Sequence, residues 1–367
     1  MISIGILAYN EEDSIATTLR SLTRQTLLKH AESGDQVEVC VVANGCTDGT
    51  IERAQEFCAE TKMPGVQFRV FEIPVAGKHY AWNQFVHELA SPDTTVFVLM
   101  DADIVFRTTD TIEQLCSSLN RSPHAVAAAG LAYKDIELLG TRNPLLWLSA
   151  RLTRLKRHEP RAIVRGQLTA YKAQAARQLW LPPTLIHEEG YIKDLLVSDF
   201  LTAEPDPYRI LCVPKAGYVF QAYRKWKDIV ATQARARISE LQRFVLMCEL
   251  RRERSTGDVD RPICEVLREW LDENPNWLDQ LMARHVAGRG FWVMFPGAVW
   301  HRMSEWGRMT GYQRWLSLPI ALAGTAGDLF FAILANRQVK QGVYRSRDLW
   351  TDTRSPELKL EYEDCVT

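Results

Sequence analysis

Short apolar runs alternate with amphipathic stretches over the first two thirds of this chain. Ile2 to Ala8 is apolar and gives way to the polar Tyr9-Asn10-Glu11-Glu12-Asp13-Ser14. That is the pattern of a buried strand, a loop and a helix start, with Asp13 or Ser14 as cap and Ile15, Leu19 and Leu22 on one helical face. Val37 to Ala43 predicts a second strand, ending in Asn44-Gly45-Cys46-Thr47-Asp48-Gly49-Thr50. Gly45 and Gly49 permit a tight backbone there, and Thr47 or Asp48 can cap a helix running through Cys58. Val66 to Ile73 predicts a third strand, Gly77 to about Ala90 a helix, and Val96 to Ile104 a fourth strand. Strands alternating with helices from the first residue onward predict an α/β fold, with a mostly parallel sheet and right-handed crossovers. Further on, Ile112 to Leu119 has helical spacing and Ala125 to Leu131 is a small-residue strand. Ile210 to Val219 predicts another strand, which Pro214 assigns to a sheet edge.

The fourth strand brings in the first chemistry. Its apolar run stops at Asp101 and Asp103, and residues two apart on an extended chain point the same way. The pair therefore sits at a strand's C-terminal edge, where open α/β sheets bind ligands. Two adjacent carboxylates repel unless a cation joins them, which suggests a hard divalent metal with oxygen ligands. Lys78, following Gly77 at a helix start, can meet a phosphate together with backbone N–H groups. Composition narrows the partners: 44 basic residues against 45 acidic ones leave no net charge to draw nucleic acid non-specifically. Eight scattered cysteines, with no Cys-x-x-Cys pair and no secretory signal ahead of Ser3, predict a reducing, cytoplasmic location without zinc or disulfides.

Taken in order, Tyr9-Asn10-Glu11-Glu12, Asn44 to Thr50, Gly77-Lys78 with Asn83, and Asp101-Ala102-Asp103 resemble the successive motifs of family 2 glycosyltransferases. The resemblance implies a GT-A fold that binds a nucleotide sugar, most often a UDP-sugar, with Mg or Mn. It sets Ala8, Tyr9, Asn10, Glu12 and Asn44 around the base and ribose, although family members often carry an acid where this chain has Asn44. Asp103 becomes the direct metal ligand and Asp101 its neighbour at the ribose or at a metal-bound water. Gly166 to Leu179 and Glu188-Glu189-Gly190 continue the resemblance; in the family a pair of acids there opens a helix facing the acceptor. The second acid acts as base, which assigns Glu189, with Glu188 beside it and His187 as an alternative. The family's usual Glu-Asp or Asp-Asp is Glu-Glu here. Trp226 to Arg243 has helical spacing and holds Gln233 and Arg237, which can serve acceptor or diphosphate. The Gln-x-x-Arg-Trp motif of processive members is not met, which points to transfer of a single sugar.

The rest of the chain is apolar and basic in patches. Asn143 to Arg157 predicts an amphipathic helix. Trp292, Trp300, Trp306 and Trp315, interleaved with Arg289, Arg302, Arg308 and Arg314, resemble an interfacial belt. Trp315 to Ala335 is long enough to span a bilayer, but Pro319, Gly324, Gly327 and Asp328 favour an interfacial or reentrant helix, ahead of a buried helical appendix and of a true span. The expected organisation is a catalytic domain over 1–222, a helical region over 223–345 and a polar tail over 346–367. The expected function is inverting, metal-dependent transfer of one sugar to a hydroxyl acceptor, lipid-linked or a surface polysaccharide precursor. The enzyme would sit on the inner face of the cell membrane. A silent nucleotide-sugar-binding scaffold and a nucleotidyltransferase are the alternatives.

Overall fold

The computed structural model describes residues 1–31, 37–143, 162–223, 225–257, 261–289 and 311–344, together with positions 146, 147, 150, 293, 306 and 307. The first four apolar runs form β1 (Ile2–Ala8), β2 (Val37–Asn44), β3 (Val66–Ile73) and β4 (Val96–Asp101). The sheet has eight strands in the order β3-β2-β1-β4-β7-β6-β8-β5. β1, β2, β3 and β4 are parallel. Their crossovers carry α1 (Ile15–Thr23), α2 (Thr50–Glu60) and α3 (Lys78–Gln84), the last continuing as a π-helical turn over Phe85–Leu89. Helices on both faces explain why β1 and β2 are apolar apart from Ser3, Glu38 and the terminal Asn44. Ile4 and Ile6 pack on one side with Ile15, Leu19 and Leu22. Leu7, Cys40 and Val42 pack on the other with Trp82 and Phe85.

The second half of the sheet departs from the sequence reading in two places. β7 (Leu168–Lys172), a strand of only five residues, inserts antiparallel between β4 and β6 (Ala127–Lys134). Nothing in its short pattern marks it as a strand. β8 (Ile210–Phe220) runs parallel to β6 and pairs through its last residues with β5 (Ile104–Phe106), so it is interior rather than an edge. Pro214 is accommodated because the β6 register jumps from Ala129–Cys212 to Leu131–Gly217, leaving it in a bulge. Helix α4 (Thr111–Arg121) covers this half.

Beyond the sheet lie α5 (Glu189–Val197), α6 (Trp226–Thr256), α7 (Ile263–Glu273), α8 (Trp277–Ala287) and α9 (Tyr312–Lys340). Leu246 and Leu250 of α6, Leu267 of α7 and Met282 of α8 share one core with Trp82, Phe85 and Leu195. α9 packs on α6 through Ala335, Val339 and Ile238. Asp328, an awkward charge for a membrane helix, is buried and accepts from Arg237 of α6 at 2.8 Å. Among the described residues no helix is long and apolar enough to cross a membrane. Most of the 143–157 stretch, positions 291, 292 and 294–296, Trp300, Arg302, Arg308 and the tail after 345 lie outside the described residues.

Candidate active site

Leu7 pairs with Asp101 and Ala8 with Ala43, so the loops after β1, β2 and β4 open at one edge of the sheet. The first two loops are laced together. Asn10 Oδ1 accepts from the Thr47 N–H at 2.8 Å, and the Glu11 N–H donates to Thr50 Oγ1 at 2.8 Å. Glu12 accepts from the Gly49 N–H at 3.1 Å and pairs with Arg53 at 3.0 Å. The Gly49 hydrogen bond, helped by Arg53, holds the Glu12 carboxyl below its usual range. Asn10 sits at φ 53°, a left-handed conformation that asparagine tolerates. Gly45 has φ 65°, and a Cβ there would lie 2.6 Å from Ala76, so two requirements fix glycine. Asn10 and Glu12 thus build the loop frame, Asn44 is buried at the end of β2, and the Tyr9 ring is half exposed on the rim.

Next to this frame the acids converge on one lysine. Lys78 Nζ lies 2.8 Å from Asp101 Oδ1, 3.0 Å from Glu188 Oε1 and 3.2 Å from the Gly166 carbonyl oxygen. Burial opposes the Lys78 charge, but Asp101, Glu188 and Glu189 override it and raise its pKa well above the ordinary value. Lys78 bridges the acid of β4 and the acid before α5. His79, almost fully buried, puts Nε2 3.5 Å from Glu188 Oε2. Glu188 is the residue before α5, yet its side chain makes no cap hydrogen bond and turns instead to Lys78 and His79.

The two glutamates titrate apart. Burial would raise Glu188, but Lys78 and His79 hold its carboxyl well below the usual range. Burial and the neighbouring Glu188 charge push Glu189 up to about 7. Burial, countered by Lys78 and reinforced by Asp103, raises Asp101 to about 6. His187 falls to about 4 through burial, so it is a weaker base at neutral pH than Glu189. The close approach depends on Gly166: a Cβ there would lie 2.6 Å from Glu188 Oε1, 2.8 Å from Glu189 Oε1 and 3.0 Å from Lys78 Nζ.

Gln233 is exposed, and Arg237 faces α9 and Asp328 rather than the acids. The basic residue of this stretch that reaches the site electrostatically is Arg235, fully buried, whose charge depresses His187. Gly166, His79 and Arg235 were not singled out from the sequence. His79 adjoins Lys78, and Gly166 stands between Arg165 and Gln167, the only local hints. Among the described residues no three Asp, Glu, His or Cys side chains form a ready metal cage. The site instead has Asp101, Asp103, Glu188 and Glu189 acting on one another around a single lysine. This donor set suits a hard cation that takes one or two carboxylates and completes its shell from phosphates.

Residues 3–180 match the family model described as glycosyl transferase family 2. A mannosyltransferase from Pyrobaculum calidifontis, solved in complex with GDP-Man and Mn2+, is 18% identical. Its similarity covers 96% of this chain and 88% of that one, with a TM-score of 0.52. Glucosyl-3-phosphoglycerate synthase from Mycobacterium tuberculosis, in complex with Mg2+ and UDP, is also 18% identical. It covers 66% of this chain and 79% of that one, with a TM-score of 0.43. A search of curated proteins finds no significant match. The mannosyltransferase likeness supports the GT-A fold.

Proposed function

Given that this chain is a glycosyltransferase whose family 2 domain spans residues 3–180, we propose that it moves a single sugar, with inversion, from a nucleoside diphosphate sugar to a hydroxyl acceptor. The observation that carries this reading is the meeting of Asp101, at the donor edge of β4, with Glu188 and Glu189 across Lys78. Glu189, close to neutrality in its titration, takes the acceptor proton. Glu188 stays charged and holds Lys78 and His79 in place. Lys78 in turn keeps a cation beside Asp101, on the side where the diphosphate departs. Asp103, with Asp101 beside it, would hold a Mg or Mn ion, whose chemistry is to neutralise the leaving diphosphate. Tyr9 and Asn44 flank the base and ribose. UDP is the family's commonest carrier, and GDP enters the comparison because the mannosyltransferase was solved with GDP-Man.

The test is a panel of UDP- and GDP-sugars with Mn2+. One of them is expected to raise the melting temperature, since a ligand of the folded state stabilises it, and to release nucleoside diphosphate. Asp103→Ala is expected to lose the Mn2+ dependence of both signals. Release of pyrophosphate would mark a nucleotidyltransferase, and stabilisation without turnover a silent scaffold.

We further propose that the enzyme works at the inner face of the cell membrane on a lipid-linked acceptor. What supports this is the outward face of α9: Trp315, Leu322, Leu329 and Ile333 recur at spacings of seven, seven and four, with Phe330 beside them, and all are exposed. Arg337 and Lys340 lie in the last turn of the same helix. An apolar stripe ending in basic residues suits the interface of anionic lipid. Full-length protein is expected to float with anionic liposomes, and the double variant Leu329→Glu, Ile333→Glu to stay in the dense fraction. Equal flotation of the two would remove the stripe from the account.

A further inference from the structure

We infer that the acceptor binds in the apolar groove beside Glu189, and that its reacting hydroxyl is attached directly to an apolar body. The inference rests on the reading of Glu189 as the base. The groove has a volume of about 640 Å³ and lies between the chain leading into β7, the start of α5 and the loop before β8. This is the size of an ordinary small-molecule site. Ile163, Val164, Val197, Pro205 and Pro207 form its walls, and its two charged lining residues are Glu189 and Lys193.

Glu189 belongs to both compartments. It lines the groove, and its Oε1 lies 2.8 Å from where a Gly166 Cβ would be, beside Lys78 Nζ. A hydroxyl held in the groove against this carboxylate therefore faces the Lys78 and Asp101 side, where the donor is placed. On transfer, the acceptor oxygen bonds to the anomeric carbon, its proton passes to Glu189, and the bond to phosphate breaks with its electron pair leaving on the diphosphate.

The walls decide the acceptor's class. A free sugar or polyol carries hydroxyls on every side, and most of them would lose water here without a replacement partner. An alkyl, terpenoid or aromatic body loses nothing by contact with Ile163, Val197 and the two prolines and gains from leaving water. Lys193 has a half-exposed side chain 4.0 Å from Asp194 Oδ1. It gives the groove a basic rim where polar parts of the acceptor can emerge.

Calorimetry on the full-length protein, with Mn2+ and the nucleoside diphosphate of the stabilising nucleotide sugar present, tests this with two probes: 1-octanol, whose hydroxyl sits directly on an alkyl body, and glucose. 1-Octanol is expected to bind and glucose to show no heat at the same concentrations. Ile163→Asp is expected to weaken 1-octanol binding by roughly tenfold or more, since it sets a charge against the apolar body. Ala162→Trp, which fills the groove with apolar bulk, is expected to do the same if Ile163→Asp does not fold. Equal affinity for the two probes, binding of neither, or undiminished affinity in the groove variants overturns the inference. Failure of the underlying reading is seen elsewhere: no nucleotide sugar stabilises the protein, or turnover survives the loss of the Glu189 carboxylate.

Discussion

Glu189→Gln is expected to lower turnover by about 100- to 10,000-fold, the usual worth of a positioned general base, while stabilisation by the nucleotide sugar stays close to wild type. Glutamine keeps the shape and can still accept a hydrogen bond, but it cannot take a proton. The pH profile adds an independent signature. Glu189 is raised to about 7 by burial and by the Glu188 charge, so wild-type turnover should climb as pH rises through that value, and the variant should lack the climb. Stability should move the opposite way. A carboxyl whose folded pKa lies above its unfolded one contributes stability that is complete below about 4.5 and is lost as pH rises through about 7. At pH 8 the variant should therefore melt higher than wild type. A variant that loses donor stabilisation together with turnover would show that Glu189 shapes the site rather than removing a proton.

Glu38→Ala is expected to destabilise the fold by about 3 to 5 kcal/mol, the range for removing one partner of a buried ion pair. Glu38 is fully buried at the sheet edge opposite the acids. One of its oxygens accepts from Ser3 Oγ at 2.5 Å and from the Ser91 N–H at 2.7 Å, and the other pairs with Arg69. Alanine takes one acceptor from each donor: Ser3 keeps Thr94 Oγ1 and Arg69 keeps the Leu89 carbonyl oxygen, whereas the Ser91 N–H loses its carboxylate. Arg69 is a third exposed and can draw in water, which moves the expectation toward the lower end. Urea unfolding measures the loss directly. A change below about 1 kcal/mol would mean that water replaces the carboxylate without difficulty. Activity per folded molecule should be unchanged, because nothing in this network reaches Lys78 or Glu189.

What the sequence made legible was whatever depends on local order. The strands β1, β2 and β4 are mostly apolar and β3 alternates, and the polar residues that halt them fall at one edge because parallel strands all end on the same side. That pattern singled out Asp101, Asp103 and Lys78, and the family resemblance added Tyr9 and Asn44. The remainder depends on contacts between distant positions. Gly166 is required by side chains more than twenty residues further on, and no local pattern carries that requirement. Helical spacing suggested Gln233 and Arg237 but could not say which face of α6 turns inward; the buried one bears Arg235, while Arg237 meets Asp328 on a helix ninety residues away. Pro214 carried a correct local message, that it breaks a ladder, and the fold met it with a bulge instead of an edge. The carboxylates around Lys78 were not legible locally, because the acids of a later helix return to it.

The Arg237–Asp328 pair bears on how this chain can be taken apart. α9 reads as an outer appendage, convenient to delete when the rest is wanted alone. Yet Asp328 is the carboxylate for Arg237, and Ala335 and Val339 pack with Ile186 and Ile238, the first only two positions before Glu188. A chain cut short of residue 312 would uncover Ile186, close to the Glu188–Glu189 pair, and remove the nearer of the two carboxylates that Arg237 meets, leaving Glu240 at 3.7 Å. The last helix packs on the segment that leads into Glu188, so a chain that stops at the end of its recognisable domain is expected to lose the support of that segment as well as the helix itself.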